Sequence, residues 1–294
     1  MAEELGTTQV LLDLLNLDDG NGARTDEDVF VGHTPRQTRT RVFGGQVLAQ
    51  SIIAGTRTVE PNRPIHSMHG YFLRPGDPAQ PITFGVQRLR DGRSFSARRV
   101  HAYQNGEPIL SMIASFQEPA NGLDHHDPMP TGIPAPDSLP TTAELIGHIK
   151  HPIAHEWAYE RPFDVRHVTE PIYLAAAPEQ SADSAVWMRT TAPMPDDPAL
   201  HRAALAYASD YMLLEPALRR HSMTWVHPGL SIASLDHGMW WHRDFRVDEW
   251  LLYVLHAPSA SSARTLGTGK IYNQAGQLVA SVAQEGMIRV PDEA

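Results

Sequence analysis

The sequence contains no cysteine. Disulfides, a thiol nucleophile and thiolate-held zinc or iron–sulfur sites are thereby excluded. Positive charge is in deficit as well: 24 Lys and Arg stand against 34 Asp and Glu, a net of −10. A binder of nucleic acid through a basic surface is not expected from that balance. Long apolar runs are also missing, and none approaches the ~18 residues that a membrane-spanning helix needs. The acidic opening "MAEELGTTQVLLDLLNLDD" has no signal-peptide core, and the ending "PDEA" is not a peroxisomal address. A cytoplasmic protein is expected. What is present suffices for a packed core, since 41% of the 294 residues are hydrophobic and 20% charged. That length suits one large domain or two ordinary ones.

Periodicity divides the chain into two similar series. Residues 7–17 read as a short amphipathic helix, and residues 18–40 as a polar loop. "VFGGQVLAQSIIAGTRTVEP" (42–61) reads as a helix entered through two glycines and stopped by Pro61. Strand-like segments follow at 65–73, 81–90, 93–104 and 108–117, separated by the turn signals "RPGD", "RDG" and "QNGE". More than half of the 24 prolines then fall between 119 and 198, which reads as a connector wrapped on the surface. Only "TTAELIGHI" (141–149) is periodic there, and "AVWMRTTAPM" (185–194) reads as a strand opening the next unit.

A second helix, 199–218, is followed by four more strand-like segments: 229–241, 249–258, 261–274 and 277–289. Three short matches in the same order suggest duplication. "HGYFLRP" (69–75) matches "HGMWWHR" (237–243), "FSARR" (95–99) matches "SSART" (261–265), and "ASFQE" (114–118) matches "SVAQE" (281–285). The expected fold class is α+β, two tandem repeats, each an antiparallel sheet wrapped round a mostly buried helix. The expected division is 1–118 for the first repeat, 119–184 for the connector and 185–294 for the second repeat.

Three polar residues break the apolar patterns. Asp210 lies in the middle of "LHRAALAYASDYMLLEPAL" (200–218), a stretch apolar almost all the way round. A buried, unpaired carboxylate there would cost several kcal/mol. Glu215, before Pro216 near the expected helix end, is more easily solvated. Ser234 follows Leu230 and Ile232 on one face of a strand, and Gln284 ends the row Leu278, Ala280, Val282. Strand ends often emerge into solvent, and buried polar groups are usually just hydrogen-bonded. Repeat comparison sets His66 opposite Ser234 and Gln117 opposite Gln284, and the first helix carries Gln46 and Gln50 but no acid. Only the second repeat then holds the full set, which suggests one site per pair of repeats.

The motifs "VFGGQVLAQ", "FLRPGD", "LRDGRSFSARRV", "NGEPILSMIASFQ", "LAYASD", "DHGMWWHR", "DEWLLY", "SASSAR" and "VASVAQEGMIR" together resemble the type II acyl-CoA thioesterases, the TesB-like double-hotdog family. The resemblance runs from about Arg41 to Arg289 and is poorest in the proline-rich connector. It implies hydrolysis of acyl-CoA to a carboxylic acid and CoA, with no metal and no cofactor. In that family an aspartate on the second helix, a threonine or serine on the next strand and a glutamine on the last strand orient the attacking water. Those positions match Asp210, Ser234 and Gln284; serine stands where the best-known bacterial members have threonine, and either hydroxyl donates and accepts.

The resemblance also implies an acyl-CoA substrate, no nucleic-acid partner and a homo-oligomer. An oxyanion needs N–H donors, and the start of the first helix at Gly44, Gly45 and Gln46 is the natural supply. Those glycines serve a tight helix entry equally well. The arginines from Arg88 to Arg99 could meet CoA phosphates, although a solvated strand is the favoured reading. "HHDPM" (125–129) lacks the partner spacing of a metal site. Competing readings are an enoyl-CoA hydratase, which would want a histidine near the helix aspartate, and a non-catalytic acyl-CoA-binding module.

Overall fold

The computed structural model describes residues 2–19, 27–35 and 40–290. The first half contains α1 (Ala2–Leu15), β1 (Asp18–Asp19), β2 (Asp28–Gly32), α2 (Gly44–Thr56), β3 (Ile65–Phe72), β4 (Ile82–Asp91), β5 (Phe95–Gln104) and β6 (Glu107–Gln117). The connector supplies α3 (Thr142–Ile146), α4 (Pro152–His155) and β7 (Phe163–His167). The second half contains β8 (Asp183–Thr190), α5 (Pro198–Ser209), α6 (Glu215–Arg220), β9 (Ser231–Ser234), β10 (Asp236–Trp241), β11 (Leu251–Ser261), β12 (Arg264–Asn273) and β13 (Leu278–Arg289).

The strands form one sheet in the order β1-β2-β4-β5-β6-β3-β10-β13-β12-β11-β8-β7, with β9 pairing the far end of β13. All pairings are antiparallel, and the halves fuse where β3 meets β10. Within each half three consecutive strands, β4-β5-β6 and β11-β12-β13, form a meander joined by short turns, and the strand before them, β3 or β10, crosses to pair with the last. The β5–β6 turn is one of these: Asn105 and Gly106 both take positive φ, 50° and 80°, as a tight hairpin requires. The helices α2 and α5 lie in the core, which draws buried residues from both halves. Ala49, Ile52, Ala54, Ala203, Leu205 and Ala206 on these two helices are fully buried.

Several expectations are corrected. Residues 28–32 of the expected polar loop form β2, which pairs with β4. The connector contains β7, which pairs with β8, and β8 begins at Asp183, before the expected boundary at 185. The expected helix 199–218 is two helices with a turn at 210–214. The apolar run Tyr211–Leu214 stays buried through that turn, so hydrophobicity carried no sign of the break. Pro216 did, because proline at the start of a helix is favoured and in its interior is not. The strand-like segment 229–241 is likewise interrupted at Leu235 between β9 and β10.

Repeat register differs from the sequence matches. At the junction Met68 pairs with Met239 and Gly70 with His237, and both methionines face the core. Beyond the junction Ile109 accepts from the Leu73 and Arg74 N–H groups as Val279 accepts from those of His242 and Arg243, and the bulge after Ile65 answers the break at Leu235. The counterpart of His237 on β3 is therefore Met68, not His69, that of Ser234 is Ile65, not His66, and that of Gln284 is Ala114, not Gln117. The first half thus places a methyl group where the second places an amide.

The two helices meet closely where α2 begins and α5 ends. A Cβ on Gly45 would stand 2.4 Å from the backbone oxygen of Tyr207. Replacing Gly45 with alanine must push the helices apart, an overpacking cost of about 1–3 kcal/mol. Urea denaturation of Gly45→Ala should show a lowered midpoint; an unchanged midpoint would mean that this contact relaxes freely.

Candidate active site

Asp210 is the C-terminal cap of α5, in right-handed conformation (φ −80°, ψ −5°), and not a mid-helix residue. The break after Ser209 turns its carboxylate into a cavity of about 780 Å³. Gly44, at the start of α2, faces it: a Cβ there would lie 2.8 Å from Asp210 Oδ2. The first N–H groups of a helix have no partner within it, and that end carries partial positive charge. The carboxylate thus sits at the positive end of a helix from the other half. Phe43 stacks on Tyr211 at 5.1 Å and meets Tyr207 edge-on at 5.0 Å, which seats the start of α2 on the end of α5.

Ser234, at the end of β9, donates to Asp210 Oδ1 at 3.2 Å. Gln284 on β13 donates from Nε2 to Ser234 Oγ at 2.5 Å. The structure brings the three residues together, with Gln284 reaching the carboxylate through the hydroxyl. Ser234, Gln284 and Asp210 all border the cavity. Gln284 is only 1% exposed, so it is not a strand end emerging into solvent.

The chain of contacts continues to a residue that sequence reasoning used only as a repeat marker. His237 Nδ1 lies 2.6 Å from Gln284 Oε1, and its Nε2 lies 3.0 Å from Ser209 Oγ. Burial lowers its pKa to about 4, so the ring is neutral at ordinary pH. Strand alternation was the available signal, since His237, Met239 and Trp241 share the inner face of β10. Nearby, the Tyr253 hydroxyl donates to the Ser209 carbonyl at 3.2 Å. Burial first, and the Asp210 charge second, raise its pKa well above the ordinary value.

Other candidates fare differently. Of the three residues at the start of α2, only Gly44 borders the cavity. Gly45 is used for the helix contact. The Gln46 side chain turns away, donating to Thr34 Oγ1 at 2.8 Å, and its backbone N–H bonds to Phe43 O at 3.1 Å. Gln46 is therefore a correction: it is a structural residue and not part of the cavity wall. Two arginines of β4 and β5 are engaged in contacts within the fold, and no residue of those two strands borders the cavity. Arg98 is buried and bonded to Asp91, and Arg88 pairs with Asp28. The cations that do border the cavity are Arg41, Arg74 and Arg161. No group of three or more metal-ligating side chains occurs among the described residues. In "HHDPM", Asp127 ties the connector to Lys270 at 2.5 Å.

The connector does more than wrap the surface. Trp157, Arg161 and Tyr173 wall the cavity, with the Arg161 guanidinium 4.4 Å over the Tyr211 ring. Glu215 is not solvated: it is 1% exposed and accepts from Trp225 Nε1 at 3.0 Å. Desolvation raises its pKa.

Two half-sheets, each with a buried helix, and a polar trio at the seam between the helices define a double-hotdog protein. The solved TesB2 of Mycobacterium marinum, titled an acyl-CoA thioesterase II, superposes with a TM-score of 0.77 at 42% identity, over 97% of this chain and 99% of that one. A hot-dog-fold protein from Alicyclobacillus acidocaldarius superposes at 0.78 with 19% identity, a likeness of fold alone. A family profile for acyl-CoA thioesterase matches residues 155–287, and one for the acyl-CoA thioesterase N-terminal domain matches 33–117. Acyl-CoA thioesterase 2 of Haemophilus influenzae is 35% identical over 95% of this chain and 96% of its own. Human acyl-coenzyme A thioesterase 8 is 36% identical over 90% of this chain and 86% of its own. The chain belongs to the acyl-CoA thioesterase family.

The buried neutral imidazole has a consequence for stability. In the unfolded chain His237 binds a proton below about pH 6.5; in the folded protein it does so only near 4. Between those values the unfolded state holds more protons, so this residue's contribution falls as pH is lowered. The stability advantage of the wild type over His237→Asn should shrink by about 3 kcal/mol between pH 7 and pH 4. Urea titrations across that range check it; a constant difference would show that the imidazole is not held neutral.

Proposed function

We propose that this acyl-CoA thioesterase hydrolyses its substrate with water activated by Asp210 and positioned through Ser234 and Gln284. The observation that carries this reading is the join at the cavity wall: Asp210 to Ser234 at 3.2 Å, and Ser234 to Gln284 at 2.5 Å. A carboxylate whose acceptor face borders the cavity can take a proton from water as that water attacks the thioester carbonyl. The hydroxyl and amide hold the carboxylate in one orientation, so the attacking geometry is prepared before substrate arrives. Charge then develops on the carbonyl oxygen, and the N-terminus of α2 at Gly44 supports N–H donation to it. Gly45 belongs to the same helix start but serves packing. The chemistry ends in a free carboxylic acid and CoA; neither step calls for a metal, since a thioester is already a fair electrophile.

The cavity's mixed lining suits such a substrate. Phe72, Ile109, Trp157 and Leu214 offer apolar surface to an acyl chain, and Arg41, Arg74 and Arg161 offer cations to phosphates. Residues 1–118 and 185–294 form, on this reading, two repeats that share one site, with the connector 119–184 closing it. A cytoplasmic enzyme, which the cysteine-free sequence fits, and homo-oligomers, which the family resemblance implies, are part of the same proposal. The hydratase alternative finds less support: His237 is fully buried, with both ring nitrogens bonded, and is not among the cavity-lining residues.

Asp210→Asn keeps the shape and removes the base. It should lower kcat on palmitoyl-CoA by about 10²- to 10⁴-fold while leaving the urea midpoint near that of the wild type. CoA release read with a thiol reagent checks this, and near-normal turnover would remove Asp210 from the role. Loss of enoyl absorbance from an enoyl-CoA without thiol release would favour the hydratase.

A further inference from the structure

His237 touches neither the cavity nor the carboxylate, yet it sits at a decisive place in the hydrogen-bond chain. Five side chains are linked in sequence: Ser209, His237, Gln284, Ser234 and Asp210, at 3.0, 2.6, 2.5 and 3.2 Å. Each hydroxyl has one proton to give, each neutral imidazole has one N–H, and a carboxylate only accepts. The ionised end therefore dictates the rest. Ser234 must donate to Asp210, so its oxygen must receive from Gln284. Gln284 must then present Nε2 to Ser234 and Oε1 to His237. That oxygen needs a donor, so His237 carries its proton on Nδ1. Nε2 is left to accept from Ser209 Oγ.

A second, competing arrangement is available to the same atoms. Ser209 Oγ is also 2.9 Å from the Ala206 carbonyl. With the His237 proton on Nε2, the ring would donate to Ser209, and the Ser209 proton would turn to Ala206. Gln284 would then flip to donate into the bare Nδ1, and its oxygen would draw the Ser234 proton away from Asp210. Asp210 Oδ1 and Ser234 Oγ would face one another as two acceptors. An amide can take either orientation, so Gln284 alone does not choose between the arrangements. Donation from His237 Nδ1–H to Gln284 Oε1 holds the amide in the one that the carboxylate requires.

Resting on the reading of Asp210 as the base, we propose that His237 is a positioning residue: its Nδ1–H locks the Gln284 amide, and thereby turns the Ser234 hydroxyl onto Asp210. The first half lacks the device, because the counterparts of His237 and Gln284 there are Met68 and Ala114. The residue acts through Gln284 and never meets the substrate, so its effect belongs to kcat and not to KM.

Asparagine and glutamine separate this role from simple packing. The amide N of asparagine can replace Nδ1, whereas that of glutamine reaches toward Nε2. Steady-state hydrolysis of palmitoyl-CoA should be measured for His237→Asn, His237→Gln and His237→Leu, each with a urea midpoint. We expect kcat to fall about tenfold or more in His237→Leu and His237→Gln, with KM within about threefold of wild type. His237→Asn should recover most of that loss. In a Gln284→Ala background, His237→Leu should cost little more. Wild-type kcat in His237→Leu, equal loss in the Asn and Gln variants, or a full second loss in the Gln284→Ala background would each overturn the proposal. If His237→Leu does not fold, the Asn and Gln pair decides alone. Asp210→Asn, assayed alongside, keeps the two readings apart. Normal turnover there defeats the base assignment, whereas a dead Asp210→Asn with a normal His237→Leu defeats only this proposal.

Discussion

Everything at the site depends on the close approach of two helices that come from different halves of the chain. The start of α2 lies against the end of α5 so tightly that Gly45 has no room for a side chain beside the Tyr207 carbonyl. One residue earlier, Gly44 leaves the same space to the Asp210 carboxylate. The positive end of one helix is thereby held at a carboxylate carried by the other. The first half supplies the helix start and the second the carboxylate, so the cavity is built from both.

The break in α5 is the second constraint. Had the helix run on to residue 218, the Asp210 side chain would have been fixed among apolar neighbours at the cost of a buried charge. Ending the helix at Ser209 places the carboxylate at the cavity and leaves Tyr211 to stack on Phe43 and under Arg161. From there a line of buried hydrogen bonds runs back to β9, β13 and β10. Such networks fix one conformation when every member is satisfied, and here each of the five side chains has a partner on both sides or ends on the carboxylate.

Much of the fold was legible in the sequence because its signals are periodic. The order of helix and four strands, twice over, follows from alternation and turn residues, and the family motifs carry the proposed site positions Asp210, Ser234 and Gln284. What escaped has particular causes. β2, Asp28–Gly32, is short and only half-buried, so it lacked contrast with the loop round it. The turn at 210–214 is as apolar as the helices flanking it. Repeat matching by letters was off by three residues on β6 and by one on β3, since strand pairing and not local identity fixes equivalence. His237 was hidden by its own placement: an imidazole on an inner face reads as a satisfied core residue, and only its neighbours show what it satisfies. The cavity wall at Trp157, Arg161 and Tyr173 comes from a proline-rich segment with no period to read.

The central claim is that Asp210 and Ser234 act as one unit on one water. A double-mutant cycle on kcat tests it most directly, with Asp210→Asn, Ser234→Ala and the pair measured on the same acyl-CoA. A unit predicts strong non-additivity: once Asp210 is gone, removing the Ser234 hydroxyl should cost almost nothing further. Losses that multiply in the double variant would show that the two residues serve separate steps, and would contradict the account.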